Sequence, residues 1–380
     1  MSVQLTTTGG PTVSLLTSST TLGIEDMRQE FAGAVKTVEV YALRDPDLER
    51  LGWPSDEHMA DIMGGWTNYD VQRAGKVLRS AFGVPHHPSR RPRSRALSPV
   101  GLATYLPQVA SAFPERREVT LCALENVLLL AAELRVSCVE MVCGRVAERC
   151  RRSKNGEPCE SVLYQHRQDP QYPPVKFELL KMGLKRLRDF AQNHIDDHPS
   201  CPPLAVALEV EPGPLYVLNN LHNAWEFLSA TANGDYMIRH ADDYYNFVGL
   251  NIDIGHMLIC HHRRQHLLKE LGIPGSRIYN FHISDNAELH FADLVPGMIH
   301  SMHPDAPGSF ADWLRCFLCA CKYAKNPIFR KNVSIELEGC ASPQWAHQAI
   351  RNTKYLLAEL ARAHDVDIAA CKDNCPVINF

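Results

Sequence analysis

The sequence predicts an α/β protein, a (β/α)8 or TIM barrel with N-terminal and loop insertions. Three observations lead there. Short apolar runs alternate with longer stretches of helical periodicity, the alternation supplies eight candidate strands, and no Gly-rich phosphate loop of the kind common in open doubly wound sheets is found. Strands that alternate with helices pair in parallel through right-handed crossovers, and eight such strands close a barrel.

The elements follow in order. "TVSLL" (12 to 16) and "KTVEVYAL" (36 to 43) are the first two strands, separated by a helical "IEDMRQEFAG". A helix near 69 to 82 precedes a third strand within "RALSPVGLATYL". "VTLCALENVLLLAAEL" reads as a helix, "VSCVEMVC" (136 to 143) as the fourth strand and "VKFELLKMGLKRLRDFAQNH" as the next helix. Then come "LAVALEV" (204 to 210), a helix around "LNNLHNAWEFLSA", "FVGLNIDI" (247 to 254) and a helix around "LICHHRRQHLLKEL". "RIYNFHIS" (277 to 284), the helix "SFADWLRCFLCACKYA", "NVSIELE" (332 to 338) and a closing helix from about 343 to 363 complete the series. Residues 1–365 are therefore expected to form a single barrel domain, with 366–380 as a C-terminal tail. Two stretches read as surface insertions: a Pro-, Ser- and Arg-rich basic loop at 84–95, and a long connection at 151–174 on the side where a lid would sit.

Composition narrows the function classes. The chain has 380 residues, 45% of them hydrophobic and 22% charged, with a net charge of −4, so no polyanion-binding surface is indicated and nucleic acid is not an expected partner. No apolar run approaches the roughly 20 residues that span a bilayer. The first 25 residues lack the basic start and apolar centre of a signal peptide. A soluble, cytoplasmic protein without a membrane partner is expected, and its 13 scattered cysteines fit reduced thiols. The C-x-x-C of "CFLCAC" (316 to 321) lies in a helix whose Trp313, Phe317 and Ala320 point to core packing. "CKDNC" (371 to 375) carries no stronger signal.

The chemistry sits at the ends of the last four strands. "GLNIDIGHM" places Asp253 inside an apolar run, where a buried carboxylate needs a cation or a hydrogen-bond network to offset its desolvation. Glu209 in "ALEVEPGP", His282 in "NFHISD" and Glu336 in "SIELEG" occupy corresponding places. In a barrel the C-terminal strand ends converge on one face, so these four can surround a single divalent ion. Hard oxygen ligands with one imidazole suit Mn²⁺ first, with Mg²⁺, Co²⁺ and Zn²⁺ behind it. Strand periodicity makes Glu211 face the same way as Glu209, and Glu338 the same way as Glu336, so either member of each pair can be the ligand.

From about 118 to 363 the chain resembles the xylose isomerase-like TIM-barrel superfamily, which includes sugar phosphate isomerases and epimerases and AP endonuclease family 2. The matching segments are "LEVEPGP", "VGLNIDIGHM", "FHISD" and "VSIELEG", with "CVEMVCGR" similar to the family's fourth strand and its Gly-Arg. The resemblance implies that Glu209, Asp253, His282 and Glu336 bind the metal and that Glu209 and Glu336 also exchange the substrate proton. It implies that His256, of the Asp-x-x-His motif, contacts substrate or a second metal, and Arg145, of the Gly-Arg, is carried forward as a substrate contact. Strand register alone brings Glu211 to the barrel mouth beside Glu209; it is carried forward as a substrate contact, with a group supporting the ligands and a solvated rim charge as the alternatives for it and for Glu338. The family's basic or histidine contact between the seventh and eighth strands has two competing candidates here, His290 with Asp293 in "HFADLVPG", and His300, His303 and Asp305 in "HSMHPDAPG". His290 and His303 are carried forward as substrate contacts. The DNA-repair branch takes extra histidines from its second and third strands. "TVEVYAL" and "SPVGLATYL" contain none, which disfavours a multi-zinc AP endonuclease.

The resulting expectation is a metal-dependent isomerase or epimerase that abstracts a proton beside the carbonyl of a polyhydroxylated small molecule, a sugar or cyclitol derivative, through an enediolate. A lyase or dehydratase performing β-elimination at the same site is the runner-up. A non-catalytic barrel subunit is the reading from another class. The oligomeric state stays open, a homo-oligomer included.

Overall fold

The computed structural model describes residues 11–42, 59–85, 95–144, 174–212, 216–260, 277–287, 290–303, 309–323 and 326–374. Residues 86–94 of the expected basic loop at 84–95, residues 151–173 of the expected long connection at 151–174, Arg145, and the part of the expected helix beyond residue 260 lie outside them.

Contacts divide the chain into two compact units, with boundaries at 41/42, 77/78, 101/102 and 250/251. In the unit containing the C-terminus, β1 (Thr12–Leu16) pairs in parallel with β2 (Thr37–Tyr41) and with the last strand, β12 (Asn332–Ile335). β12 in turn pairs with β9 (Ile278–Ile283), Ser334 opposite His282. In the other unit, β4 (Cys138–Val142) lies between β3 (Ser98–Thr104) and β5 (Ala205–Glu209), Val142 opposite Glu209. β3 and β8 (Val248–Asp253) run through the boundaries, and the strands close as a parallel barrel in the order β1-β12-β9-β8-β5-β4-β3-β2. β4, β5, β8 and β9 are buried along their whole length, which explains why they read as continuous apolar runs rather than as alternating ones.

The connecting helices are α1 (Ile24–Phe31), α2 (Met59–Gly64), α3 (Asn68–Phe82), α4 (Pro114–Leu134), α5 (Pro174–Asp197), α6 (Leu221–Ala230), α7 (Ile254–Ile259), α8 (Phe310–Tyr323) and α9 (Pro343–Asn374). α4 and α5 each begin at a proline, whose fixed φ and missing N–H suit the first helical turn. α9 continues to Asn374, beyond the expected end near 363 and through much of the expected tail. Residues 364 to 374 contain neither glycine nor proline, and the first proline is Pro376. Cys316, Cys319 and Cys321 are buried within α8, as the core reading of that helix requires.

Two hairpins were not anticipated. β6 (Met237–His240) and β7 (Asp243–Asn246) pair antiparallel just before β8, while β10 (Asp285–Ala287) and β11 (His290–Leu294) pair just after β9. Among the described residues, no helix is long and apolar enough to cross a membrane.

Candidate metal centre

At the end of β8 the chain turns directly into α7, and Asp253 serves both elements. Its Oδ1 accepts the backbone N–H of His256 at 2.8 Å, the bond of a helix N-cap, which accounts for the Asp-x-x-His spacing. Gly255 lies between them because nothing larger fits: a Cβ there would stand 2.3 Å from Ser284 Oγ and 2.9 Å from the Ser284 carbonyl oxygen. Capping uses one carboxylate oxygen only. Asp253 is fully buried, and its Oδ2 has no hydrogen-bond partner among the described residues.

His282, also fully buried, comes from the end of β9 and is held on both sides. Its Nδ1 lies 2.9 Å from Glu336 Oε2, just beyond β12, and its Nε2 lies 3.1 Å from Glu39 Oε2, in the middle of β2. Burial alone would depress the imidazole pKa, but the charges of Glu39 and Glu336 outweigh it and raise the value well above normal. Burial pushes the Glu336 carboxyl well above the usual carboxylate range, against the opposing pull of His282. The Glu336 backbone N–H donates to Ile283 O at 3.2 Å, which fixes the carboxylate's take-off point beside β9.

Glu209 ends β5. It is buried, and its carbonyl accepts the Cys143 thiol at 3.2 Å. Glu209, Asp253, His282 and Glu336 can each offer one ligand atom such that all four atoms lie within 4.8 Å of one another. Three carboxylates brought this close, largely out of water, repel one another unless a cation intervenes or one of them keeps its proton, as the raised Glu336 pKa allows. The donor set, three carboxylates and one imidazole, matches a divalent ion, and the partnerless Asp253 Oδ2 is the kind of atom such an ion would satisfy. Of the two pairs left open by strand register, the first members, Glu209 and Glu336, belong to this set of possible ligands among the described residues, and Glu211 and Glu338 do not. Glu211 is nevertheless buried rather than solvated at the rim, whereas Glu338 is exposed.

Beside the cluster, His256 Nε2 stands 4.0 Å from Asp293 Oδ1. Asp293, on β11, also accepts Ser284 Oγ at 3.1 Å, and Ser284 Oγ lies 3.5 Å from Asp253 Oδ1. Burial raises the Asp293 pKa, with His256 opposing. Of the competing histidine segments, the first therefore reaches the site, through Asp293. The His290 side chain is not among those described, and His303 is exposed. His300 instead binds Asp285, Nδ1 to Oδ1 at 2.7 Å, while Asp285 Oδ2 accepts the N–H groups of Gly297, Ile299 and His300, a loop-fastening arrangement. Sequence reading missed Glu39 and Asn280. The signal available for Glu39 was the one that exposed Asp253, a carboxylate inside an apolar strand.

No family model matches the chain, and no curated protein matches it in sequence. Solved structures do. L-ribulose 3-epimerase aligns at 12% identity over 94% of this chain and 97% of that one, with a TM-score of 0.57. A xylose isomerase domain protein from Alicyclobacillus acidocaldarius aligns at 14% identity over 93% and 99%, with a TM-score of 0.54. The fold is that of the xylose isomerase-like TIM barrels. A third protein with this fold, IolI, was solved with a bound zinc atom and aligns at 16% identity over 92% of this chain and 97% of that one, with a TM-score of 0.54.

Proposed function

We propose that the chain is a divalent-metal-dependent isomerase or epimerase acting on a sugar or cyclitol-like carbonyl compound. The observation that carries this reading is the convergence of four ligand atoms within 4.8 Å at strand ends of an epimerase-type barrel. Glu209, Asp253, His282 and Glu336 hold the ion. An ion held there would supply Lewis-acid polarisation of the substrate carbonyl and electrostatic stabilisation of the charge left when the neighbouring C–H loses its proton.

The chain's own groups move the proton. A general base works best when its pKa lies near the working pH, and burial shifts Glu336 in that direction. Glu336 takes the proton from one face of the substrate and releases it to solvent after turnover, while Glu209, protonated beforehand, gives its own proton to the other face. His256, held by the Asp253 cap and facing Asp293, binds a substrate hydroxyl. Glu211 and Arg145 are further proposed substrate contacts.

Manganese-loaded protein incubated with candidate ketoses in deuterium oxide tests the assignment. Exchange of one carbon-bound hydrogen, abolished in both Glu209→Gln and Glu336→Gln, is the expected result. Full exchange in either variant sinks the two-glutamate reading, and net loss of water from the substrate identifies a lyase instead.

A further inference from the structure

Glu39 is a fully buried carboxylate outside the four-residue set. It sits in the middle of β2, yet its side chain meets β9, 243 residues away in sequence. Both oxygens are engaged: Oε2 stands 3.1 Å from His282 Nε2, and Oε1 accepts Asn280 Nδ2 at 2.9 Å. The barrel interior is shaped to admit it, because a Cβ on Gly101 would stand 3.0 Å from Glu39 Oε1 and 3.2 Å from Cδ. A buried carboxylate with a dedicated glycine and a dedicated amide is held for some purpose, and the group that it faces is an imidazole.

That imidazole has two nitrogens with opposite surroundings. Nδ1 faces Glu336, a member of the ligand cluster, and Nε2 faces Glu39 and Asn280. To coordinate a cation, Nδ1 must present a lone pair, which leaves the ring proton on Nε2. Glu39 is an acceptor and favours that tautomer. Asn280 lies 3.0 Å from Nε2 as well, and its amide could donate there only to the opposite tautomer. Its 2.9 Å bond to Glu39 fastens the carboxylate that decides between the two. A carboxylate behind a ligating histidine also raises the basicity of the ring.

We propose that Glu39 is a positioning residue that fixes the His282 tautomer with the proton on Nε2 and presents Nδ1 to the metal, with Asn280 and Gly101 holding Glu39 in place. This rests on the metal reading of the four-residue cluster.

The test is calorimetric titration of the chelator-treated full chain with Mn²⁺ and Zn²⁺, wild type beside Glu39→Gln. Circular dichroism checks each fold, and the d–d absorption spectrum of the Co²⁺ form supplies a readout that depends on the ligand field. The expected result is a loss of about 10- to 100-fold in affinity, the usual effect of removing such a carboxylate, with an altered Co²⁺ spectrum. Should Glu39→Gln fail to fold, Gly101→Ala decides. It keeps the charge but presses on the carboxylate, so a several-fold loss of affinity supports the role and unchanged affinity overturns it. A folded Glu39→Gln protein with wild-type affinity and spectrum overturns the role of Glu39 and leaves the metal centre standing. Wild-type protein that binds neither ion overturns both.

Discussion

Asp253 carries two duties on two oxygens: Oδ1 caps α7 and Oδ2 points to no described donor. An asparagine could still cap through its side-chain oxygen, but it would bring no negative charge to an ion. Asp253→Asn should therefore separate stability from binding. In chelator the variant should be more stable than wild type by about 1–3 kcal/mol, the scale of relieving a buried unsatisfied polar group, and it should have lost the stabilisation that Mn²⁺ gives wild type. Chemical denaturation with and without the ion checks both signs. Glu336 and His282 make a second prediction. Both hold their proton more tightly in the folded chain, so their contribution to apo stability is complete below their unfolded values, 4.5 and 6.5, and is lost as pH rises through the raised folded values. An ion requires the deprotonated forms. The difference in melting temperature between Mn²⁺-loaded and chelated protein should thus widen as pH rises, and a constant gap would contradict this. Asp253 was legible in the sequence because a charge interrupts an apolar strand. Glu39 gives the same signal in "TVEVY", but the partner that explains it is on β9, and no local pattern links residues so far apart.

The β8–α7 turn is the element on which the site hangs. Asp253 ends the strand, Ile254 starts the helix, and Gly255 lets α7 approach Ser284 and Asn286. Gly255→Ala adds a methyl group where backbone already stands, so overpacking should cost about 1–3 kcal/mol and should weaken ion binding by displacing Asp253 and His256. Urea denaturation with a parallel metal titration checks this; unchanged stability would show that the turn relaxes freely. That Glu209, Asp253, His282 and Glu336 lie at or next to strand ends could be read from where the apolar runs stop. The two hairpins were hidden for a physical reason. The tight β6–β7 turn uses Ala241 at φ 54°, without the Asn-Gly or Asp-Gly pair that signals such a turn, and β11 places Asp293 at φ 36°. A consequence was that Asp293 was one candidate among several loop residues rather than a recognised neighbour of His256.

Across the whole molecule, the eight barrel strands were readable because parallel strands buried on both faces leave mostly apolar runs, and the helices between them carry a different period. The substrate was less readable. Two of its expected contacts, Arg145 and His303, were read on connections between strands and helices, whose sequence obeys no period. What unifies the molecule is a sheet order that returns residues 209, 253, 282 and 336 to one place. That is also what a single experiment addresses: anomalous diffraction from a crystal of the full chain soaked in Mn²⁺. The expected result is one strong peak bonded to Glu209, Asp253, His282 and Glu336, with His282 contributing Nδ1. A map with no peak among those four side chains, in crystals that take up manganese elsewhere, would contradict it.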